Sequence, residues 1–184
     1  SPAGHSFAGP HAAGMVALSV EIDEGVVIGW PVATRLAAVR HFGIIAMMQV
    51  KTQRDDLQDY RGDASNRQGG HADRLVMPET LSDLADILLE ANESKTPVTV
   101  SGARTGTVGG AIPFGGTIVS LERLNKIRSI DKATRIAVVE PGLILGDLQK
   151  AVDAEGLFYP PDPTEWSCQI GGTVAPNASG ARSF

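Results

Sequence analysis

Two glycine-rich segments about sixty residues apart constrain this chain more than any other feature. They are Val98-Thr-Val-Ser-Gly-Ala-Arg-Thr-Gly-Thr-Val-Gly-Gly-Ala111 and Tyr159-Pro-Pro-Asp-Pro-Thr-Glu-Trp-Ser-Cys-Gln-Ile-Gly-Gly-Thr-Val-Ala-Pro-Asn-Ala-Ser-Gly180. Each joins a strand-like or proline-stiffened run to a stretch that side chains barely fill. In the first, Gly102, Ala103, Gly106, Gly109 and Gly110 follow a β-like run. Glycine permits positive φ and removes the Cβ that would hold a backbone away from a ligand. Consecutive N–H groups in such turns form a concavity that accepts an anion such as a pyrophosphate. A wide turn between two strands would carry the same glycines, so this segment alone leaves both readings open. It is not a Walker loop, which needs Gly-Lys-Ser/Thr, and not a Rossmann fingerprint, because no helical pattern opens after the last glycine. In the second segment Pro160, Pro161 and Pro163 fix φ over a short extended stretch. Gly171-Gly172 then allows close approach to the same ligand, and Asn177, Ser179 and Gly180 extend the cluster. A long surface loop is the alternative there.

Hydrophobic periodicity places the segments. Arg74-Leu-Val-Met77 reads as a strand stopped by Pro78, and Thr80 with Asp83 forms a capping-box pattern. Leu81, Leu84, Ala85, Leu88 and Ala91 follow helical spacing, so a helix with one core face is predicted over residues 81–92. Residues 97–101 and 116–121 read as strands on either side of the first glycine loop. Residues 135–140 alternate in a β-branched run, Pro141-Gly142 makes a turn, and a second amphipathic helix over 143–154 closes at Gly156. The order β-α-β-β-β-α is a mixed α+β pattern and lacks the strict alternation of a doubly wound sheet.

Composition excludes other classes. Sixteen basic against 21 acidic residues give a net charge of -5, which argues against a nucleic-acid surface. The single cysteine, Cys168, permits no intrachain disulfide and suits a reducing compartment. The apolar stretches near the N-terminus are too short to span a bilayer, and no signal-peptide pattern is present, so a soluble, cytoplasmic protein is expected. Residues 1–50 show no sustained period and are expected to form a poorly ordered extension, with Met47-Met48 as a candidate natural start. His5, His11, His41 and His71 have no metal-ligand spacing, and no metal site is expected. Trp30 and Trp166 read as packing residues.

Several motifs occur together and in order: Ser101-Gly-Ala-Arg-Thr-Gly-Thr-Val-Gly-Gly-Ala-Ile-Pro113, Pro141-Gly142 ahead of Leu145-Gly-Asp-Leu148, Tyr159-Pro-Pro-Asp-Pro163, Ile170-Gly-Gly172 and Asn177-Ala-Ser-Gly180. With Tyr60, Asp63 and Ser65 as a lead-in, and Val76 and Pro78 in the first strand, this set closely resembles the FAD-linked oxidases. That family includes vanillyl-alcohol oxidase, p-cresol methylhydroxylase, the glycolate oxidase flavin subunit, D-lactate dehydrogenase and D-2-hydroxyglutarate dehydrogenase. The Tyr-Pro-Pro-Asp-Pro and Ile-Gly-Gly pairing fits this branch better than the enolpyruvyl sugar reductases of the same fold. The resemblance covers residues 55–184 and implies the first lobe of a p-cresol-methylhydroxylase-type FAD-binding domain, a mixed sheet with flanking helices, over residues 51–184.

The same resemblance implies roles. Ser101, Gly102, Ala103, Arg104, Thr105 and Gly106, with Gly109 and Gly110 behind them, would wrap the FAD pyrophosphate through backbone amides. Pro161, Asp162, Thr164, Ser167, Cys168, Gly171 and Gly172 would run beside the pyrophosphate, ribityl chain and flavin ring. Bland readings stand beside these: Arg104 as an exposed loop arginine, Asp162 as a turn cap, Cys168 as a small buried hydrophobe. Arg104 departs from the glycine or serine common at its position. Some members that attach FAD covalently carry a histidine in this loop and this chain has none there, so noncovalent FAD is implied. In the family a second lobe and a substrate-capping domain follow the motif that stands here before Phe184, and they hold the residues that act on substrate. The chain is accordingly expected to be the cofactor half of an oxidase of small 2-hydroxy acids, with hydride passing to flavin N5 and the electron acceptor open. A flavin-binding module without turnover of its own is the alternative.

Overall fold

The computed structural model describes residues 14–15, 17–19, 49–178 and 180–181. Short strands β1 (Gly14–Met15), β2 (Ala17–Ser19) and β3 (Gln49–Lys51) precede the helical turn α1 (Arg54–Leu57), and a 3-10 turn follows at Gln58–Tyr60. Then come β4 (Arg74–Met77), α2 (Leu81–Ser94), β5 (Val98–Ser101) and β6 (Thr117–Ser120). The sheet order is β3-β4-β6-β5, with β4, β6 and β5 parallel and β3 antiparallel on the edge.

Register explains how the central strands β4 and β6 are buried on both faces. Leu75 pairs with Ile118, and Val76 with Val119. Because successive side chains point to opposite faces, Leu75, Met77 and Ile118 meet Leu57 and Tyr60 on one side. Val76 and Val119 meet Ile87 of α2 on the other, with Leu84, Val98 and Leu121 around them. Parallel strands are normally covered in this way. Helix α2 starts where its capping box places it: the Thr80 hydroxyl accepts from the Asp83 amide at 3.1 Å, and the Asp83 carboxylate accepts from the Thr80 amide at 2.9 Å. It runs two residues past the predicted end, to Lys95 as a left-handed C-cap with φ 55°.

The second part comprises β7 (Ile127–Asp131), β8 (Ile136–Val139), α3 (Leu145–Ala154), β9 (Leu157–Phe158) and α4 (Ile170–Val174). Strands β7 and β8 are antiparallel, β2 lies parallel to β8, and β1 lies parallel to β9. Leu145, Leu148 and Val152 of α3 pack with Ala137, Leu157, Tyr159, Cys168 and Ile170 into a second core. Strand β7 was not expected, since its Arg128, Ser129 and Asp131 are exposed and only its isoleucines lean inward. Helix α3 starts two residues later than its periodicity suggests. Leu143 and Ile144 are instead held extended, with the Leu143 carbonyl accepting from the Ile170 amide at 2.9 Å and Ile144 bridging Gln169.

The two parts meet at a pair of turns. The Gly142 amide donates to the Leu124 carbonyl at 2.6 Å, and a Cβ on Gly142 would stand 2.0 Å from the Leu121 carbonyl oxygen. Most of residues 1–50, including Met47-Met48 and Trp30, lies outside the described residues, as does Ser179.

Candidate functional site

The first glycine loop leaves the carboxyl end of β5, beside the carboxyl end of β6. In open parallel sheets this edge is where ligands bind. Ser101 is fully buried, its carbonyl accepts from the Leu121 amide at 3.1 Å, and the loop from Gly102 to Ala111 is half-buried to exposed.

The lead-in segment at residues 60–67 holds this loop at several points. Near its start, the Ala64 amide donates to the Arg104 carbonyl at 3.1 Å. The Arg104 guanidinium lies 4.4 Å from the Tyr60 ring centroid and donates to the Gly102 carbonyl at 3.2 Å. At the far end, the Asp63 carboxylate accepts from the Ser65 amide at 2.9 Å, the Ser65 hydroxyl at 2.5 Å and the Ala111 amide at 3.5 Å. Burial would raise the Asp63 carboxyl, but these bonds and one from the Gly109 amide outweigh it and hold it below its ordinary value. A Cβ on Gly109, whose φ is 81°, would stand 2.9 Å from the Arg67 side chain. Sequence reasoning reached Tyr60, Asp63 and Ser65 only through family resemblance, because contacts across some forty residues leave no local pattern.

What the loop offers a ligand is the stretch around the first anchor, at residues 103–106. Among the described residues no hydrogen bond takes the amides of Ala103, Arg104, Thr105 or Gly106, and a Cβ on Gly106 would find no atom within 4 Å. Four free amides beside open space form a cradle suited to a phosphate oxygen.

The second segment meets the first at Gly102, where a Cβ would stand 3.0 Å from Gln169 Oε1. Gln169 is itself buried, and the sequence reading passed over it. The backbone from Trp166 to Gly171 is clamped on the turn before α3. The Leu145 amide donates to the Cys168 carbonyl at 2.9 Å, the Gly146 amide to the Trp166 carbonyl at 3.0 Å, and the Gly171 amide to the Pro141 carbonyl at 2.8 Å. The two glycines of α4 therefore differ. A Cβ on Gly171 would stand 2.8 Å from Pro141 Cβ, so its missing side chain serves helix–turn packing, whereas Gly172 has nothing within 4 Å.

The other candidates separate. Pro161 and Asp162 are half-buried, and Asp162 bridges Gly180, whose φ is 79°. Thr164 is exposed. The Ser167 amide and hydroxyl donate to Glu165 at 3.0 and 2.7 Å. The Cys168 side chain lies in the α3 core, where burial pushes its thiol up and Glu165 adds to the shift. Gly110 is exposed, and a Cβ there would meet only the Val108 side chain, at 3.9 Å. Trp166 lies against Gly146 while staying 65% exposed. Among the described residues no group of three or more His, Cys, Asp or Glu is placed to hold a metal, and no helix is long and apolar enough to cross a membrane.

Comparison with known proteins agrees with this geometry. The FAD binding domain family matches residues 72–184. The chain is 44% identical over 110 residues to a D-lactate dehydrogenase of Anaerostipes hadrus, covering 59% of this chain and 23% of that protein. It is 34% identical over 127 residues to the glycolate oxidase subunit GlcD of Bacillus subtilis, covering 68% of this chain and 27% of that one. A D-2-hydroxyglutarate dehydrogenase of Xanthomonas citri is 34% identical over 140 residues, covering 75% of this chain and 30% of that one. The chain thus spans between a fifth and a third of the length of these relatives. Among solved structures, p-cresol methylhydroxylase superposes with a TM-score of 0.54 at 24% identity, covering 66% of this chain and 24% of that one. An alkyldihydroxyacetonephosphate synthase superposes with a TM-score of 0.68 at 18% identity, covering 88% of this chain and 33% of that one. The match over residues 72–184 and the run of free amides at residues 103–106 agree: this chain belongs to the FAD binding domain family, with the p-cresol-methylhydroxylase type of fold, and its cofactor is FAD.

Proposed function

We propose that this chain is the cofactor-binding part of an FAD-dependent oxidoreductase that oxidises a small 2-hydroxy acid such as D-lactate, glycolate or D-2-hydroxyglutarate. The observation that carries the reading is the run of four free amides at residues 103–106, held by the Tyr60 contact at Arg104 and followed by the Asp63 anchor at Ala111. Ala103, Arg104, Thr105 and Gly106 would take the pyrophosphate through their N–H groups, and Gly172 would leave room for the cofactor on the opposite side. Ser101, Gly102, Gly109 and Gly110 shape the loop. Pro161, Asp162, Thr164, Ser167, Cys168 and Gly171 position the second wall through their backbone. Bound FAD would supply the hydride acceptor, flavin N5, which this chain's task is to orient and shield. No histidine stands in either glycine segment, which supports noncovalent attachment. The substrate class follows the names of the relatives, and a cytoplasmic location completes the proposal. Residues 51–184 form the FAD-binding unit in this reading.

The full chain titrated with FAD should quench flavin fluorescence, and acid precipitation should leave the flavin in solution. Dye reduction on a panel of 2-hydroxy acids then tests turnover. Flavin binding with no substrate-dependent reduction would favour a flavin-binding module without turnover of its own.

A further inference from the structure

We infer that Tyr60, Arg104 and Glu122 form a clasp that shapes the pyrophosphate loop before FAD arrives, making the Arg104 guanidinium a positioning group and not a phosphate ligand, while the Arg104 amide stays free for the phosphate. The inference rests on reading residues 101–111 as the FAD loop.

Arg104 has φ 59°, a left-handed conformation that a glycine adopts freely and a bulky residue rarely does. An arginine there needs compensation from its side chain. Among the described residues its guanidinium has two partners, the Tyr60 ring at 4.4 Å and the Gly102 carbonyl at 3.2 Å, while its own carbonyl accepts from Ala64. The ring beneath it cannot drift. Tyr60 is 9% exposed and packs with Leu57, Leu75, Met77 and Ile118. Its hydroxyl donates to both carboxylate oxygens of Glu122, at 3.2 and 3.1 Å, and Glu122 stands two residues beyond β6. Contacts therefore run from the sheet core, through one phenol and one guanidinium, to the centre of the free-amide stretch. A cation over an aromatic face is attracted by the ring quadrupole. A loop ordered in advance loses less conformational freedom when its ligand binds.

Arg104→Gly relieves the backbone and removes the guanidinium's contacts with Tyr60 and Gly102, and Arg104→Lys separates their loss from the freedom that a glycine adds. In the FAD-free full chain, hydrogen exchange across residues 101–111 should quicken about tenfold, the order expected of a partly desolvated cation–π contact. FAD affinity, from flavin fluorescence, should fall by about the same factor, with its salt dependence equal to that of the unsubstituted chain. Arg104→Lys, which restores a cation over Tyr60, should recover part of both losses. Tyr60→Phe, which keeps the ring and releases Glu122, should show a smaller effect in the same direction. Unchanged exchange in Arg104→Gly would overturn the clasp. So would an affinity loss that comes with a flattened salt dependence, since that marks a lost charge contact with phosphate. Absence of FAD binding by the unsubstituted chain would sink the cofactor reading instead, and the exchange comparison would still decide the clasp.

Discussion

Gly142→Ala tests the junction between the two parts of the molecule. A Cβ there would stand 2.0 Å from the Leu121 carbonyl oxygen and 2.7 Å from that of Leu124. Carbon–oxygen contacts begin near about 3.3 Å, so the Leu121–Leu124 turn would have to retreat by about 1.3 Å. That turn is backbone attached to β6, and Leu124 is fully buried, so no flexible side-chain end can absorb the movement. The retreat would also stretch the 2.6 Å bond from the Gly142 amide to the Leu124 carbonyl. Overpacking of this kind costs about 1–3 kcal/mol and a lost hydrogen bond about 0.5–1.5 kcal/mol. We therefore expect a loss of about 2–4 kcal/mol, or about 4–16 °C in Tm for a chain of this size. Urea unfolding of the FAD-free chain should show the midpoint falling with an unchanged slope. A change within about 0.5 kcal/mol, the ordinary range for a surface substitution, would refute the close approach and the joining of the two parts that it implies.

The remaining predictions use the same protein. Gly172→Ala enters open space on a helix and should match or exceed the parent stability by up to about 1 kcal/mol, while weakening FAD binding; undiminished affinity would show that this face does not meet the cofactor. Asp63 has a depressed carboxyl, so its contribution is present above the unfolded value near about 3.9 and is lost as pH falls through the lower folded value. Asp63→Asn should accordingly flatten the loss of urea midpoint between about pH 5 and 3, and parallel curves for the two proteins would count against the assignment. Cys168, buried with its thiol pushed up, should react with a disulfide reagent far more slowly in the native chain than in urea. Equal rates would place it at the surface.

Expectations that rested on neighbours in sequence agree with the structure. The Thr80–Asp83 capping box, the strands ahead of Pro78 and around Val119, and the Gly156 turn all depend on contacts within a few residues, where a single pattern has one low-energy outcome. The core face of α2 differs from the expected stripe: Ala91 is buried as expected, but Leu81 and Leu88 are exposed and Ile87, outside that stripe, is the side chain that meets Val76 and Val119. Departures occur where a distant segment intervened. Leu143 and Ile144 suit a helix locally, but pairing with Gln169 and Ile170 keeps them extended. Strand β7 has too little buried surface to announce itself, and its pairing with β8 makes it a strand.

The site divides along the same line. The sequence by itself determined that two glycine-rich stretches would supply backbone amides and little bulk, because glycine content is a property of composition and spacing. Folding settled which of these glycines stand clear of other atoms. Gly106 and Gly172 look into open space, while Gly171 is spent on Pro141, Gly109 lies against Arg67 and Gly142 packs on the Leu121 turn. It also decided that Arg104 rests on Tyr60, a residue 44 positions earlier in the chain. The physical reason is common to all of these. A missing side chain is visible in one dimension, but what occupies the vacated space depends on packing between residues that only the folded chain brings together.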